Sequence, residues 1–133
     1  MTIDRKYLLA AMAYAILGML LGIYMAISQN HAEHPAHAHI LLVGFVVSMI
    51  YAIIYKLWLP TQSSSKLALL QFVVHQLGAA IFAIGLFLLF RGTSQAALAP
   101  VLGSGSLFVL AAALMMLVQI VKSCLQTAPT PQA

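Results

Sequence analysis

The sequence predicts an all-α integral membrane protein, a four-helix bundle whose helices run alternately up and down. Of its 133 residues, 63% are hydrophobic and only 6% are charged, whereas soluble domains carry about 25% charged residues. The apolar residues form four continuous stretches, each long enough to cross a bilayer core as a helix. None of them shows the alternation of a membrane β-strand. Because only helices and closed barrels satisfy their backbone groups in lipid, these stretches are expected to be helices.

The expected helices cover residues 6–28, 36–59, 66–90 and 96–122, within one domain of residues 1–125. Asp4 can cap the first helix, and Pro35 suits the first turn of the second, which Pro60 ends. The serines at 63–65 can cap the third helix. Residues 126–133 are polar and contain two prolines, so a disordered tail is expected there.

The basic residues predict the orientation of the bundle and argue against a nucleic-acid partner. They stand singly or in one pair at the helix ends, without a basic run, although the net charge is +4. Arg91 lies on one side of the membrane, and the others lie on the opposite side: Arg5, Lys6, Lys56, Lys66 and Lys122. By the positive-inside rule both termini are cytoplasmic, and we expect a multi-pass protein of the bacterial inner membrane. Tyr7 and Trp58 near the cytoplasmic face suit interfacial anchoring.

The stretch HAEHPAHAHILLVGF at 31–45 places four histidines and a glutamate at the start of the second helix. His37 and His39 are two residues apart, which corresponds to roughly 200° of rotation on an α-helix. Their side chains therefore leave nearly opposite faces and cannot easily share one ion. They can instead serve two sites that flank a single helix.

The segment HAHILLVGF, followed by an apolar helix ending in YKLWLP, resembles a helix in the catalytic subunits of nitric-oxide reductases and C-type haem-copper oxidases. By that resemblance His37 matches the ligand of the high-spin haem, His39 matches the ligand of the low-spin haem b, and Gly44 matches the family glycine. The whole chain also resembles short four-helix bacterial inner-membrane proteins that are similar to oxidase subunit I. The resemblance implies a haem b protein in electron transfer, or an accessory partner of a respiratory complex.

The chain departs from those catalytic subunits in ways that bear on activity. It has four apolar stretches rather than their larger number of helices, and it has no adjacent histidine pair. Reduction of oxygen or nitric oxide by this chain alone is therefore not expected. Only two acidic residues are present, Asp4 and Glu33, so catalysis by a carboxylate pair is nearly excluded.

Two other readings of the histidine-rich stretch remain open. The protein can bind or sense a bare metal, with His31, His34 and Glu33 suited to zinc, or with copper if Met25 contributes. Alternatively the protein is a non-catalytic structural or assembly subunit, and the histidines only keep an interfacial loop polar. A haem ligand is the reading that the resemblance favours.

His75 lies in the third helix near the middle of the membrane, about 15 Å deeper than His39 by helical rise. A charged imidazole there is costly, so the ring is expected to be neutral and hydrogen-bonded. The candidate partners are Gln71, Ser48 and Tyr51. A satisfied core histidine is favoured over a second haem ligand.

Glycines mark where helices can approach closely in lipid. Gly18 and Gly22 form a GxxxG pair on the first helix, and Gly44 and Gly78 are further small positions. They can serve packing within the bundle or between copies. Since one chain carries too few histidines for a complete two-haem site, a homo-oligomer is expected.

Overall fold

The computed structural model describes residues 1–126, which form four long helices and no strand. The helices are α1 (Ile3–Ser28), α2 (His34–Leu57), α3 (Lys66–Phe90) and α4 (Gln95–Gln126). Each is long and apolar enough to cross a membrane. The prediction of an all-α four-helix membrane protein is confirmed. The expected disordered tail lies outside the described residues, except for Gln126, which ends α4.

The first residues of α1 and α3 show how the sequence starts a helix. α1 begins at Ile3, three residues before the predicted start, and Asp4 lies in its first turn instead of capping it. A carboxylate in the first turn still interacts favourably with the helix dipole. α3 begins at Lys66, where the Ser65 hydroxyl accepts a hydrogen bond from the Ala68 amide at 3.1 Å. The serine cap predicted for this helix is therefore confirmed.

α2 changes its helical type after the histidines. It is α-helical at His34–His39, π-helical at Ile40–Val46 and α-helical again at Val47–Leu57. Gly44 lies in the π-helical segment, where a Cβ atom would come within 2.5 Å of the Tyr14 ring on α1. π-Helical segments are rare and occur frequently at functional sites. The segment directly follows His37 and His39, so these histidines are candidates for a functional site.

The helices pack as two pairs, α1 with α2 and α3 with α4, joined mainly through contacts between α2 and α3. The glycines of α1 lie against α2: Gly18 faces Leu41, and Gly22 faces the His37 ring. Gly78 on α3 lies against the backbone of α4. The close contacts at these glycines are therefore made inside one chain.

The two ends of the bundle differ in chemistry. The histidine end contains the α1–α2 connection, residues 29–33, and the α3–α4 connection, residues 91–94. The lysine end contains the N-terminus, the α2–α3 connection at residues 58–65, and the last turns of α4, where Ser123 bonds the Trp58 carbonyl oxygen. Between the two ends, large apolar side chains are exposed along all four helices. Such an exterior suits lipid, as expected for a multi-pass membrane protein.

Tyr7 is not the interfacial anchor that its position near the start of α1 suggested. Its side chain is fully buried, because the ring packs edge-on against Tyr51 and Phe72 and stacks on Tyr55. Trp58, by contrast, is 63% exposed at the lysine end. Tyr7 therefore brings a hydroxyl group into the interior of the bundle.

Candidate haem or metal site at the histidine end

The two histidines of the H-x-H pair leave α2 toward different helices. The His37 ring lies against α1, where a Cβ atom on Gly22 would come within 3.0 Å of the His37 Cε1 atom. The His39 ring lies edge-on to the Phe82 ring of α3, with 5.0 Å between the centroids. This divergence is what the two-residue spacing predicts. The pair therefore presents two separate ligands, each at its own helix contact.

Both rings are held by the same kind of hydrogen bond. His37 Nδ1 lies 2.9 Å from the Gly18 carbonyl oxygen, and His39 Nδ1 lies 2.8 Å from the Pro35 carbonyl oxygen. A carbonyl oxygen can only accept, so each Nδ1 carries a proton, and in the neutral ring each Nε2 keeps its lone pair. Ligating histidines characteristically donate the other ring N–H to a carbonyl or carboxylate in this way. In this arrangement Nε2 is the ring atom of each histidine that could bind a metal.

Glu33 pairs with an arginine and does not join the neighbouring histidines. Its side chain is 1% exposed, and its Oε1 atom lies 2.5 Å from Arg91 Nε. Arg91 also donates to the Tyr24 hydroxyl at 2.9 Å and lies over the Tyr24 and Phe87 rings. The hydrogen bond with Tyr24, and then the nearby Glu33 carboxylate, raise the pKa of Arg91. The pair links the α1–α2 connection to the end of α3.

The zinc set predicted from His31, His34 and Glu33 is not assembled in one chain. His31 and His34 are exposed, and the centroids of the His34 and His37 rings are 6.2 Å apart. Among residues 1–126, no group of three histidine, cysteine or acidic side chains is placed to hold a metal. Glu33 is engaged elsewhere because a buried carboxylate requires an opposite charge. Met25, considered as a copper ligand, is buried in α1.

The Glu33–Arg91 pair gives a test of the histidine end. We expect Arg91→Ala to lower the thermal unfolding midpoint by several degrees, because it leaves a buried carboxylate without its partner. Adding Glu33→Gln should recover part of this loss, since a neutral amide is cheaper to bury unpaired. Thermal unfolding in one detergent, followed for both variants and the wild type, measures the difference. A double variant no more stable than Arg91→Ala alone would contradict the assignment.

A second polar group lies deeper, toward the lysine end, and we call it the buried polar cluster: Tyr7, Tyr55, Gln71 and Gln119. Each comes from a different helix. The Tyr7 hydroxyl donates to Gln71 Oε1 at 2.6 Å, and the Tyr55 hydroxyl donates to the same oxygen at 3.3 Å. Gln119 Nε2 donates to the Tyr55 hydroxyl at 2.9 Å. The cluster therefore ties all four helices together in the interior.

The sequence indicates Gln71 as an intramembrane polar residue but does not indicate its partners Tyr7 and Tyr55. A signal for Tyr55 was present, because Ser48, Tyr51 and Tyr55 are spaced by three and four residues and so share one helix face. All three are buried. No comparable local pattern marks Tyr7.

His75 is buried without the hydrogen bonds expected for it. Neither ring nitrogen has a well-formed hydrogen bond in the described part of the chain, although the Val43 backbone interacts with the ring. Tyr51 makes only an edge-on ring contact, at 5.1 Å between centroids. Ser48 instead accepts from Gln76 Nε2 at 3.1 Å. The predicted pairing of His75 with Gln71, Ser48 or Tyr51 is therefore wrong.

Comparison with known proteins identifies no family for this chain. The resemblance of HAHILLVGF to the oxidase helix rests on the residues of that segment alone. No protein-family model, curated protein or solved structure matches this chain.

Proposed function

We propose that the protein binds haem b at the histidine end of α2. In this proposal the protein acts in electron transfer or as an accessory of a respiratory oxidase. His39 would hold the haem iron in this proposal, and His37, on the opposite side of the same helix, would be a second ligand. The observation that carries the proposal is the bond from each Nδ1 to a backbone carbonyl, which leaves both Nε2 atoms with a lone pair.

The residues around His39 fit the apolar surface of a haem. His39 is half-buried beside Phe82, and the next residue, Ile40, lines an apolar groove of about 260 Å³. It lies between α1 and α3 and is lined by Tyr14, Leu17, Ile40, Ala80, Ala83, Ile84 and Phe87. When bound, a haem supplies a one-electron redox centre whose potential depends on its ligands and on burial. The groove is smaller than the macrocycle, so the rest of a haem would lie against lipid or a second copy.

The chain's own contribution is to fix the two rings before a ligand arrives. The Pro35 carbonyl orients His39 from the preceding turn of α2, whereas the Gly18 carbonyl orients His37 from α1. Gly22 leaves room for the His37 ring, which a side chain at that position would crowd. Orienting partners of this kind fix the tautomer and raise the basicity of a ligating imidazole.

Elemental analysis with a pyridine haemochrome assay separates the three candidate functions. Iron accompanied by a haemochrome is expected if the H-x-H pair binds haem. Copper or zinc without haem would favour the metal-binding alternative, which still has the exposed His31 and His34 available. Protein with neither would favour the structural or assembly role.

Self-association follows from the divergence of His37 and His39. Since the two rings face different helices, a haem bound by one of them has no second histidine from the pair to complete its axial ligands. A second copy can supply it. We expect a dimer or larger assembly by mass measurement in nanodiscs. A strictly monomeric protein loaded with haem would contradict this part of the proposal.

The proposed orientation places both termini in the cytoplasm of a bacterium and the histidine end outside. Five basic residues support it, because they belong to the lysine end, whereas Arg91 lies at the histidine end beside Glu33. Reporter fusions after the C-terminus and within residues 29–33 test the assignment. The C-terminal fusion should be active only with a cytoplasmic reporter, and the loop fusion only with a periplasmic one.

A further inference from the structure

A groove between α1 and α2 at the lysine end combines an apolar floor with charged residues at one end. Its volume is about 390 Å³. The apolar part is lined by Leu8, Met49, Ala52, Ile53 and Leu57, and the charged part by Asp4, Arg5 and Lys56. Asp4 and Arg5 lie in the first turn of α1, and Lys56 lies one residue before the end of α2. The charges therefore lie near the membrane surface, and Leu8 and Met49 lie deeper.

Neither Arg5 nor Lys56 forms an ion pair in residues 1–126, although the Asp4 carboxylate interacts with Lys56 at longer range. Both are exposed, and the one ion pair among residues 1–126 joins Arg91 to Glu33 at the opposite end. Asp4 is the single carboxylate in the lining, and it is already hydrogen-bonded to Thr2. Two cations thus face one engaged carboxylate, so this end of the groove attracts an anion.

We propose that this groove binds one anionic phospholipid, with its phosphate between Arg5 and Lys56 and an acyl chain along Leu8, Met49 and Ile53. Basic pockets between membrane helices bind such head groups. A free phosphate would leave the apolar floor unfilled, and a lipid with a cationic head group would bring a like charge to Arg5 and Lys56. A second copy packed symmetrically here would place its own Arg5 and Lys56 close to these two cations, and the like charges would repel. An anionic lipid satisfies both parts of the groove.

The charge half of the proposal is tested by native mass spectrometry of protein released from nanodiscs with equal phosphatidylglycerol and phosphatidylcholine. We expect the wild type to retain phosphatidylglycerol preferentially. In Arg5→Gln/Lys56→Gln this preference should fall by about thirtyfold, the ratio that two surface cations confer. The matched control is Lys66→Gln/Lys122→Gln, which removes the same charge from the lysine end outside the groove. An equal fall in both double variants, or no preference in the wild type, would overturn the proposal.

The apolar half is tested by filling the groove. Ile53 lines it, whereas Ile50 lies one turn away on α2 and does not. Both side chains are exposed, so either position accepts a larger residue. We expect Ile53→Trp to reduce the retained phosphatidylglycerol several-fold and Ile50→Trp to leave it unchanged. Equal retention in the two variants would show that no acyl chain occupies the groove.

Discussion

His39→Ala is expected to abolish haem binding, and His75→Ala is expected to leave it intact. The His39 ring is at the histidine end with its Nε2 lone pair free, because Nδ1 is bonded to the Pro35 carbonyl. His75 is enclosed by the Tyr7 and Tyr51 rings, and neither H-x-H histidine is among its ring contacts in residues 1–126. The measurement is the haem content of each purified variant by pyridine haemochrome, with thermal unfolding as the control for folding.

His37→Ala distinguishes the two members of the pair. Its ring lies against α1 and not beside Phe82, so its removal should lower the haem content in part or change the spin state. Equal and complete loss in His37→Ala and His39→Ala would show that the two positions act at one iron. Haem lost only with His75→Ala would place the ligand in the bundle interior and contradict the assignment.

Gln71→Leu is expected to produce a large loss of stability without affecting the histidine end. Gln71 takes part in three side-chain hydrogen bonds: from Tyr7, from Tyr55 and to the Ala112 carbonyl oxygen. At about 0.6 kcal/mol for each bond in a membrane interior, the free energy of unfolding should fall by about 2 kcal/mol. The two tyrosine hydroxyls left without their acceptor add to the loss.

Gln76→Leu is the matched control for this substitution. Gln76 lies on the same helix, and its side chain makes one such bond, to Ser48. Equilibrium unfolding of both variants in mixed micelles should give a loss for Gln76→Leu of about a third of that for Gln71→Leu. Equal losses would mean that the buried polar cluster does not hold the four helices together.

The helices could be predicted because the length and continuity of an apolar stretch determine whether it spans a bilayer. α3 covers the predicted residues 66–90 without change, since a serine cap precedes it and no proline interrupts it. The pairing of Glu33 with Arg91 could not be predicted in this way. The two residues belong to different connections, and only the packing of the α1–α2 pair against α3 brings them together. Tyr7 was misplaced because an aromatic residue near a helix end is equally compatible with an interfacial anchor and a buried ring.

Only the features of the candidate site that depend on the spacing of neighbouring residues could be predicted from the sequence. The two-residue interval between His37 and His39 determines that their rings diverge. The hydrogen bond from His37 to the Gly18 carbonyl oxygen depends on how α1 packs against α2. The GxxxG pair of α1 indicates that some helix packs closely there, but it does not indicate which helix. The π-helical segment after His39 has no signature in the composition of Ile40–Val46. Within the segment Gly44 lies against the Tyr14 ring of α1, a contact that the sequence does not reveal.

The measurement that tests the central claim most directly is the reduced-minus-oxidised visible spectrum of the wild-type protein, purified from haem-replete membranes. If the H-x-H pair presents Nε2 to iron, the spectrum has the Soret and α bands of haem b, in proportion to the amount of protein. A fully folded protein with no haem absorption would contradict the account.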